Sequence, residues 1–138
     1  MTLLEELLPS EPRIVSVLPT DTIRTAVKAM ADANCGSTMV MDGGRLLGIF
    51  TERDLVKRVV PQDVDLDRTP IRQVMSTELV LGRTQDSLGS TILAMQKHHI
   101  RHLPVVDQDG TLRGVLSIRD LIRQDLREMR EYLALTEG

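Results

Sequence analysis

The sequence contains no tryptophan, one phenylalanine (Phe50) and one tyrosine (Tyr132). Its core must therefore be aliphatic and methionine-rich, and a planar ligand would be enclosed by aliphatic side chains, not stacked on rings. With one cysteine, Cys35, an internal disulfide is excluded. Cys35 is expected to be a small buried residue rather than a reactive thiol. There is no excess of positive charge: 17 Lys and Arg face 20 Asp and Glu, for a net charge of −3. That excludes a broad nucleic-acid or anionic-membrane surface while leaving room for a local basic pocket. The chain also has no long apolar run and no secretory leader pattern, so no membrane partner and a cytoplasmic location are expected. It shows no activated nucleophile, no metal-ligand cluster and no glycine-rich phosphate loop, so enzymatic chemistry is not expected.

What the chain does have is an internal repeat. Gly114-Val115-Leu116-Ser117-Ile118-Arg119-Asp120-Leu121 copies the pattern of Gly48-Ile49-Phe50-Thr51-Glu52-Arg53-Asp54-Leu55. The offset is 66 there and 65 upstream, where Met30, Val40 and Asp42 align with Met95, Val105 and Asp107. The change falls between Asp42-Gly43-Gly44 and Asp107-Gln108-Asp109-Gly110, which are turn sequences and tolerate insertion. The 138 residues are thus read as two repeats of about 60 residues sharing one core, since either alone buries little surface.

Each repeat predicts strand, helix, strand, strand, helix. Ile14 to Val17 and Leu79 to Leu81 read as short opening strands. The stripes Ile23, Ala26, Val27, Met30 and Leu88, Thr91, Ile92, Met95 predict helices. Thr20 or Asp21 is expected to cap the first, with Gly36 as its stop; Asp86 or Ser87 caps its counterpart. Thr38 to Met41 and Leu103 to Val106 read as buried strands, each turning into a partner strand, Arg45 to Phe50 and Leu112 to Leu116. Thr51 is expected to start a helix running to about Val60, and Ser117 a long one whose apolar stripe continues past the repeat. The leucines at 3, 4, 7 and 8 predict a short docking helix. The boundaries are an N-terminal segment (1–12), first repeat (13–61), polar linker (62–74), second repeat (75–124) and an extension of the last helix (125–138). The stripe on that extension calls for cover by the N-terminal leucines or a second subunit.

Thr51-x-x-Asp54 and Ser117-x-x-Asp120 stand where strand becomes helix. As a motif they fit helix capping, a hydroxyl at N-cap and an acid at N3. Capping does not exclude a ligand site: a helix start offers N–H groups and positive dipole to an anion, and a carboxylate there can accept from a ribose diol. Arg53 and Arg119 oppose that dipole, which favours an anion nearby. Lys97 to His102 is the densest basic run. His98 and His102 have a metal-compatible spacing, but no Cys joins them; a solvated helix end is the other bland reading.

These motifs, with Ile100-Arg101-His102-Leu103-Pro104-Val105-Val106-Asp107 and Gly43-Gly44-Arg45-Leu46-Leu47, resemble a tandem pair of CBS domains over residues 10 to 125. The resemblance implies an α+β fold of two β-α-β-β-α repeats about a pseudo-twofold axis, usually dimerised into a disk (a Bateman module). It implies a stand-alone regulatory module that binds an adenosine nucleotide between the repeats and signals to a regulated partner protein, with no chemistry and no required cofactor. AMP, ADP or ATP is the expected ligand, and NADH or S-adenosylmethionine the wider set. Asp54 and Asp120 would hold ribose. Arg101, His102, Arg119 and Arg53 would face phosphate, with Thr51 and Ser117 nearby. Ile14 to Val17 (Ser16 included), Thr38 to Val40 and their second-repeat equivalents such as Pro104 would enclose adenine. One cleft would join Thr51 and Asp54 with Arg101, His102 and Arg119. The other would join Ser117 and Asp120 with Gly36, Ser37 and Arg53, and would bind less tightly for want of charge. His102 would make the first cleft sensitive to pH near neutrality. The alternative function is a protein-interaction scaffold without a ligand.

Overall fold

Three of the four stripe residues Ile23, Ala26, Val27 and Met30 are buried, and Val27 is half-buried. They sit on helix α1 (Ile23–Asp32) in a computed structural model that describes residues 1–137. The chain forms two compact units, one of Arg13–Leu79 and one joining Met1–Pro12 to the residues from Val80 onward.

In the unit of residues 13–79, strand β1 (Ser16–Val17) pairs in parallel with β2 (Ser37–Asp42), and β2 pairs antiparallel with β3 (Arg45–Thr51). The Asp42–Arg45 hairpin closes through Gly43 (φ +56°) and Gly44 (φ +78°), both in the left-handed region that a two-residue type I′ turn requires. A three-residue α-helical turn, α2 (Glu52–Asp54), follows. It passes directly into a π-helical turn at Leu55–Val59 and a 3-10 turn at Val60–Gln62, in place of the single α-helix expected. Pro61 has no N–H to continue an α ladder. The core is Val17, Ile23, Ala26, Met30, Val40, Phe50, Val59 and Ile71.

The second unit repeats this with β4 (Gly82–Arg83), α3 (Leu88–Lys97), β5 (His102–Val106), β6 (Leu112–Ser117) and α4 (Ile118–Glu137), its sheet again ordered β4-β5-β6. The bulge between Val40 and Met41 recurs between Val105 and Val106. The extra residue of this repeat lies in the turn, as expected. The Asp107 carboxylate accepts from the Asp109 and Thr111 amides, and Gly110 takes φ +81°.

Several local expectations are corrected. Thr22, not Thr20 or Asp21, caps α1: its hydroxyl accepts from the Thr25 amide at 3.2 Å, while Asp21 accepts from the Leu18 amide one turn earlier. The helix stops at Asn34 (φ +52°) and not at Gly36: the Cys35 amide donates to Met30 and the Asn34 amide to Ala31, a Schellman closure. His99 (φ +55°) does the same after α3, with bonds from Ile100 to Met95 and from His99 to Gln96. Cys35 is exposed, because the closure turns it outward at the helix end. Strand β1 covers only the second half of Ile14–Val17. Strand β4 begins at Gly82, past Leu79–Leu81. In the first unit the Met39 amide donates to Val15; its equivalent, Pro104, has no N–H to give, so the pairing opens later.

The polar stretch read as a linker is packed on the first unit. Leu66 and Thr69 carbonyls accept the Arg24 and Ile23 amides at the start of α1. Arg24 pairs with Asp67, and the hydrogen bond from the guanidinium holds that carboxyl below its usual range. Val64, Leu66, Val74 and Met75 lie against the core. The N-terminal leucines form a 3-10 turn (Leu4–Leu7), shorter than the helix expected, and they pack on the second unit.

These two packed segments are equivalents. Ile71 and Arg72 amides donate to Asp21 and Pro19, and Leu4 and Glu5 amides donate to Asp86 and Thr84. The Thr69 carbonyl accepts from Ile23, and the Thr2 carbonyl accepts from Leu88. Ile71 and Leu4 are both fully buried. Each repeat is thus completed by the segment that precedes the other one in sequence.

Candidate functional site at the strand-to-helix junctions

Both hydroxyl-x-x-aspartate motifs sit where they were expected, between the last strand of a sheet and the helix after it. In the first unit the Asp54 amide donates to Thr51 Oγ1 at 3.2 Å, and Asp54 Oδ2 accepts from the Thr51 amide at 3.0 Å. In the second the Asp120 amide donates to Ser117 Oγ at 3.1 Å, and Asp120 Oδ2 accepts from the Ser117 amide at 3.2 Å. Both are capping boxes. The helix start is less open to an anion than the sequence suggested. The first helical amide, that of Glu52 or Ile118, already donates to the carbonyl of Gly36 (3.0 Å) or Arg101 (2.8 Å), and the third is taken by the cap. One carboxylate oxygen of each aspartate remains outside the box.

The sheet register decides which expected residues share a junction. Ser37 pairs with Thr51 and His102 with Ser117. Gly36, Ser37, Thr51, Arg53 and Asp54 therefore cluster at one end of the first sheet. Arg101, His102, Ser117, Arg119 and Asp120 cluster at the matching end of the second. Arg101, Arg119 and Asp120 are exposed, and His102 and Ser117 half-buried. Ser37 and Thr38 are buried, and the Thr38 hydroxyl donates to the Val15 carbonyl at 3.2 Å, tying β2 to the chain before β1. Pro104 is buried within β5, while Ser16 is exposed on β1. His98 caps α3 and His99 turns the chain, so backbone geometry separates them from His102.

Sequence reasoning missed Arg58. Its guanidinium lies 3.7 Å from the outer oxygen of Asp54 and donates to Ser76 Oγ (3.1 Å) and the Val74 carbonyl (3.4 Å). The spacing i, i+4 from an acid was the available signal. The second repeat has Gln124 at that place, so the two aspartates, though built alike, carry different neighbours. Asp54, the aspartate beside Arg58, is also the better shielded of the two: its side chain is 14% exposed, while Asp120 is exposed.

Each junction thus holds a carboxylate by a backbone hydrogen bond, with an arginine at the same end of its own sheet in the first unit and two arginines and a histidine in the second. Comparison with known proteins matches the chain on sequence and on fold. A family model described as CBS domain fits residues 5–61 and again 71–127. A CBS domain-containing protein of Bacillus subtilis is 37% identical over 124 residues, 90% of this chain and 87% of that one. The solved CBS domain protein of Pyrobaculum aerophilum, complexed with AMP, superposes with a TM-score of 0.77 at 33% identity, over 86% of this chain and 89% of that one. Similarity extends into longer proteins: an arabinose 5-phosphate isomerase of Francisella tularensis is 31% identical, but this chain spans 37% of its length.

Proposed function

The chain belongs to the CBS-domain family, and on that premise we propose that it is a regulatory module that binds an adenosine nucleotide and passes its occupancy to a partner protein. The observation that carries this reading is the duplicated junction, with an aspartate fixed in the same capping geometry in both units. The AMP complex of a relative 33% identical to this chain supports the ligand class. Asp54 and Asp120 accept from the ribose hydroxyls through the oxygen left outside the box. Arg101, His102, Arg119 and Arg53 supply charge to the phosphates. Ser16, Ser37, Thr38 and Pro104 belong to the adenine end. Binding, with no bond made or broken, is the whole of the activity.

Calorimetric titration with AMP, ADP, ATP, NADH and S-adenosylmethionine tests this. At least one ligand is expected to bind, and at 100 times its dissociation constant to stabilise the fold by about 2.7 kcal/mol, a rise of several degrees in melting temperature. Asp120→Ala and Asp54→Ala should weaken it about ten- to a hundredfold, the worth of a hydrogen bond to a charged group. Arg101→Ala should weaken nucleotides and leave adenosine alone. Measuring affinity separates binding from capping, whose loss lowers the melting temperature of the unliganded chain as well. No heat with any ligand, on protein stripped by unfolding and refolding, would sink the proposal and leave the scaffold.

A further inference from the structure

The two capping aspartates differ in what already holds them. In the first unit Asp54 Oδ2 accepts from the Thr51 amide at 3.0 Å and from the Thr51 hydroxyl at 3.2 Å. The outer oxygen, Oδ1, faces the Arg58 guanidinium at 3.7 Å. That guanidinium is itself anchored, donating to Ser76 Oγ at 3.1 Å and to the Val74 carbonyl at 3.4 Å. Ser76 is fixed in turn by two backbone hydrogen bonds with Ile49. In the second unit the equivalent places hold Gln124, which has no charge, and Pro9, which has no hydroxyl. Asp120 is exposed.

We infer that Arg58 is a latch on Asp54: it competes with a ribose diol for the outer carboxylate oxygen, so that one of the two aspartates is guarded and the other open. The inference rests on the reading of both aspartates as ribose acceptors. A hydroxyl that donates to Asp54 Oδ1 has to displace a cation anchored on the other side by Val74 and Ser76, or share the oxygen with it. A hydroxyl that reaches Asp120 meets a glutamine in that place. The guard costs about two- to fivefold in affinity, the range for a half-exposed ion pair. It lowers the affinity of the site that the count of charges alone would favour. It also ties the Asp54 site to the chain that leads out of the first unit, because freeing Asp54 frees the side chain that holds Val74 and Ser76.

Calorimetric titration with AMP tests it, on chains that keep one aspartate each. Adding Arg58→Gln to Asp120→Ala should tighten AMP about two- to fivefold. The gain should vanish with deoxy-AMP, which lacks the diol. An Arg58 that serves only to hold the junction together would act in the opposite sense, its loss weakening AMP. Adding Gln124→Arg to Asp54→Ala should weaken AMP about twofold, as an i, i+4 pair does without the second anchor. Gln124 lies on the regular helix α4, so this variant still reports should Arg58→Gln misfold. AMP affinity unmoved by either substitution, weakened by Arg58→Gln, or gained equally with deoxy-AMP overturns the latch and leaves the ribose reading standing. No heat from AMP even with the unsubstituted chain overturns the latch and the ribose reading for AMP together.

Discussion

Leu4→Ala is expected to destabilise the second unit by about 2–5 kcal/mol, the cost of emptying a fully buried leucine site. The residue stands ahead of the first repeat in sequence. Yet it lies in one core with Leu88, Met95, Leu103, Val105, Leu116 and Leu121, and its amide donates to Asp86 at 2.9 Å. Its equivalent, Ile71, stands ahead of the second repeat and lies in the core of the first with Ile23, Ala26 and Phe50. The two alanine variants should therefore act crosswise. Residue-resolved hydrogen exchange on Leu4→Ala should show protection falling most in α3 and β5, and on Ile71→Ala most in α1 and β2. If Leu4→Ala loosened α1 and β2 first, the exchange of segments described above would be wrong.

Gly48→Ala is expected to cost about 1–3 kcal/mol, the range for overpacking, and to cost more than Gly114→Ala at the equivalent place. A Cβ on Gly48 would stand 2.6 Å from Met75 Sδ and 2.9 Å from the Ser76 carbonyl oxygen. Ser76 is backbone and is held on both sides: its amide donates to Ile49 at 2.8 Å and its carbonyl accepts from Ile49 at 3.0 Å. It cannot retreat without breaking that bridge. A Cβ on Gly114 meets Leu8 Cδ2 at 2.8 Å and little else. A leucine methyl can move by a rotamer change. Denaturant midpoints of the two variants decide the matter; equal losses would mean that Leu8 is as fixed as Ser76.

The repeat was legible because it is written in the residues that geometry constrains most: the glycines, the capping hydroxyls and acids, the hairpin turns. Those gave the order of elements, the sheets and both junctions. Exposure of Cys35 was hidden because a small apolar residue beside a glycine carries no mark of which way a helix end will turn it. The stop at Asn34 competed with a nearby glycine, and asparagine tolerates the left-handed region well enough to take the turn first. Pro104 delays the opening of β4 from across the sheet, a tertiary effect that no window around Leu79 contains. The equivalence of residues 2–9 and 69–76 rests on one identity, Thr2 with Thr69, and on apolar matches at Leu4, Leu7 and Leu8. It uses a third offset, 67, and so falls outside the register that revealed the rest. Arg58 was missed for a simpler reason: its partner residues, Val74 and Ser76, lie beyond the stretch that the repeat aligned.

The exchanged segments also set an order of assembly during synthesis. Residues 13–79 are contiguous, and the unit that they form can close as soon as they have emerged. The other unit needs Leu4 at one end and Leu121 at the other. At about 5–20 residues per second, Leu4, Leu7 and Leu8 spend roughly 5–20 seconds without the surface that later buries them. Once Leu79 has emerged, the first unit is able to fold while they wait. The leucines ahead of the first unit thus wait for partners that are made only after that unit is complete.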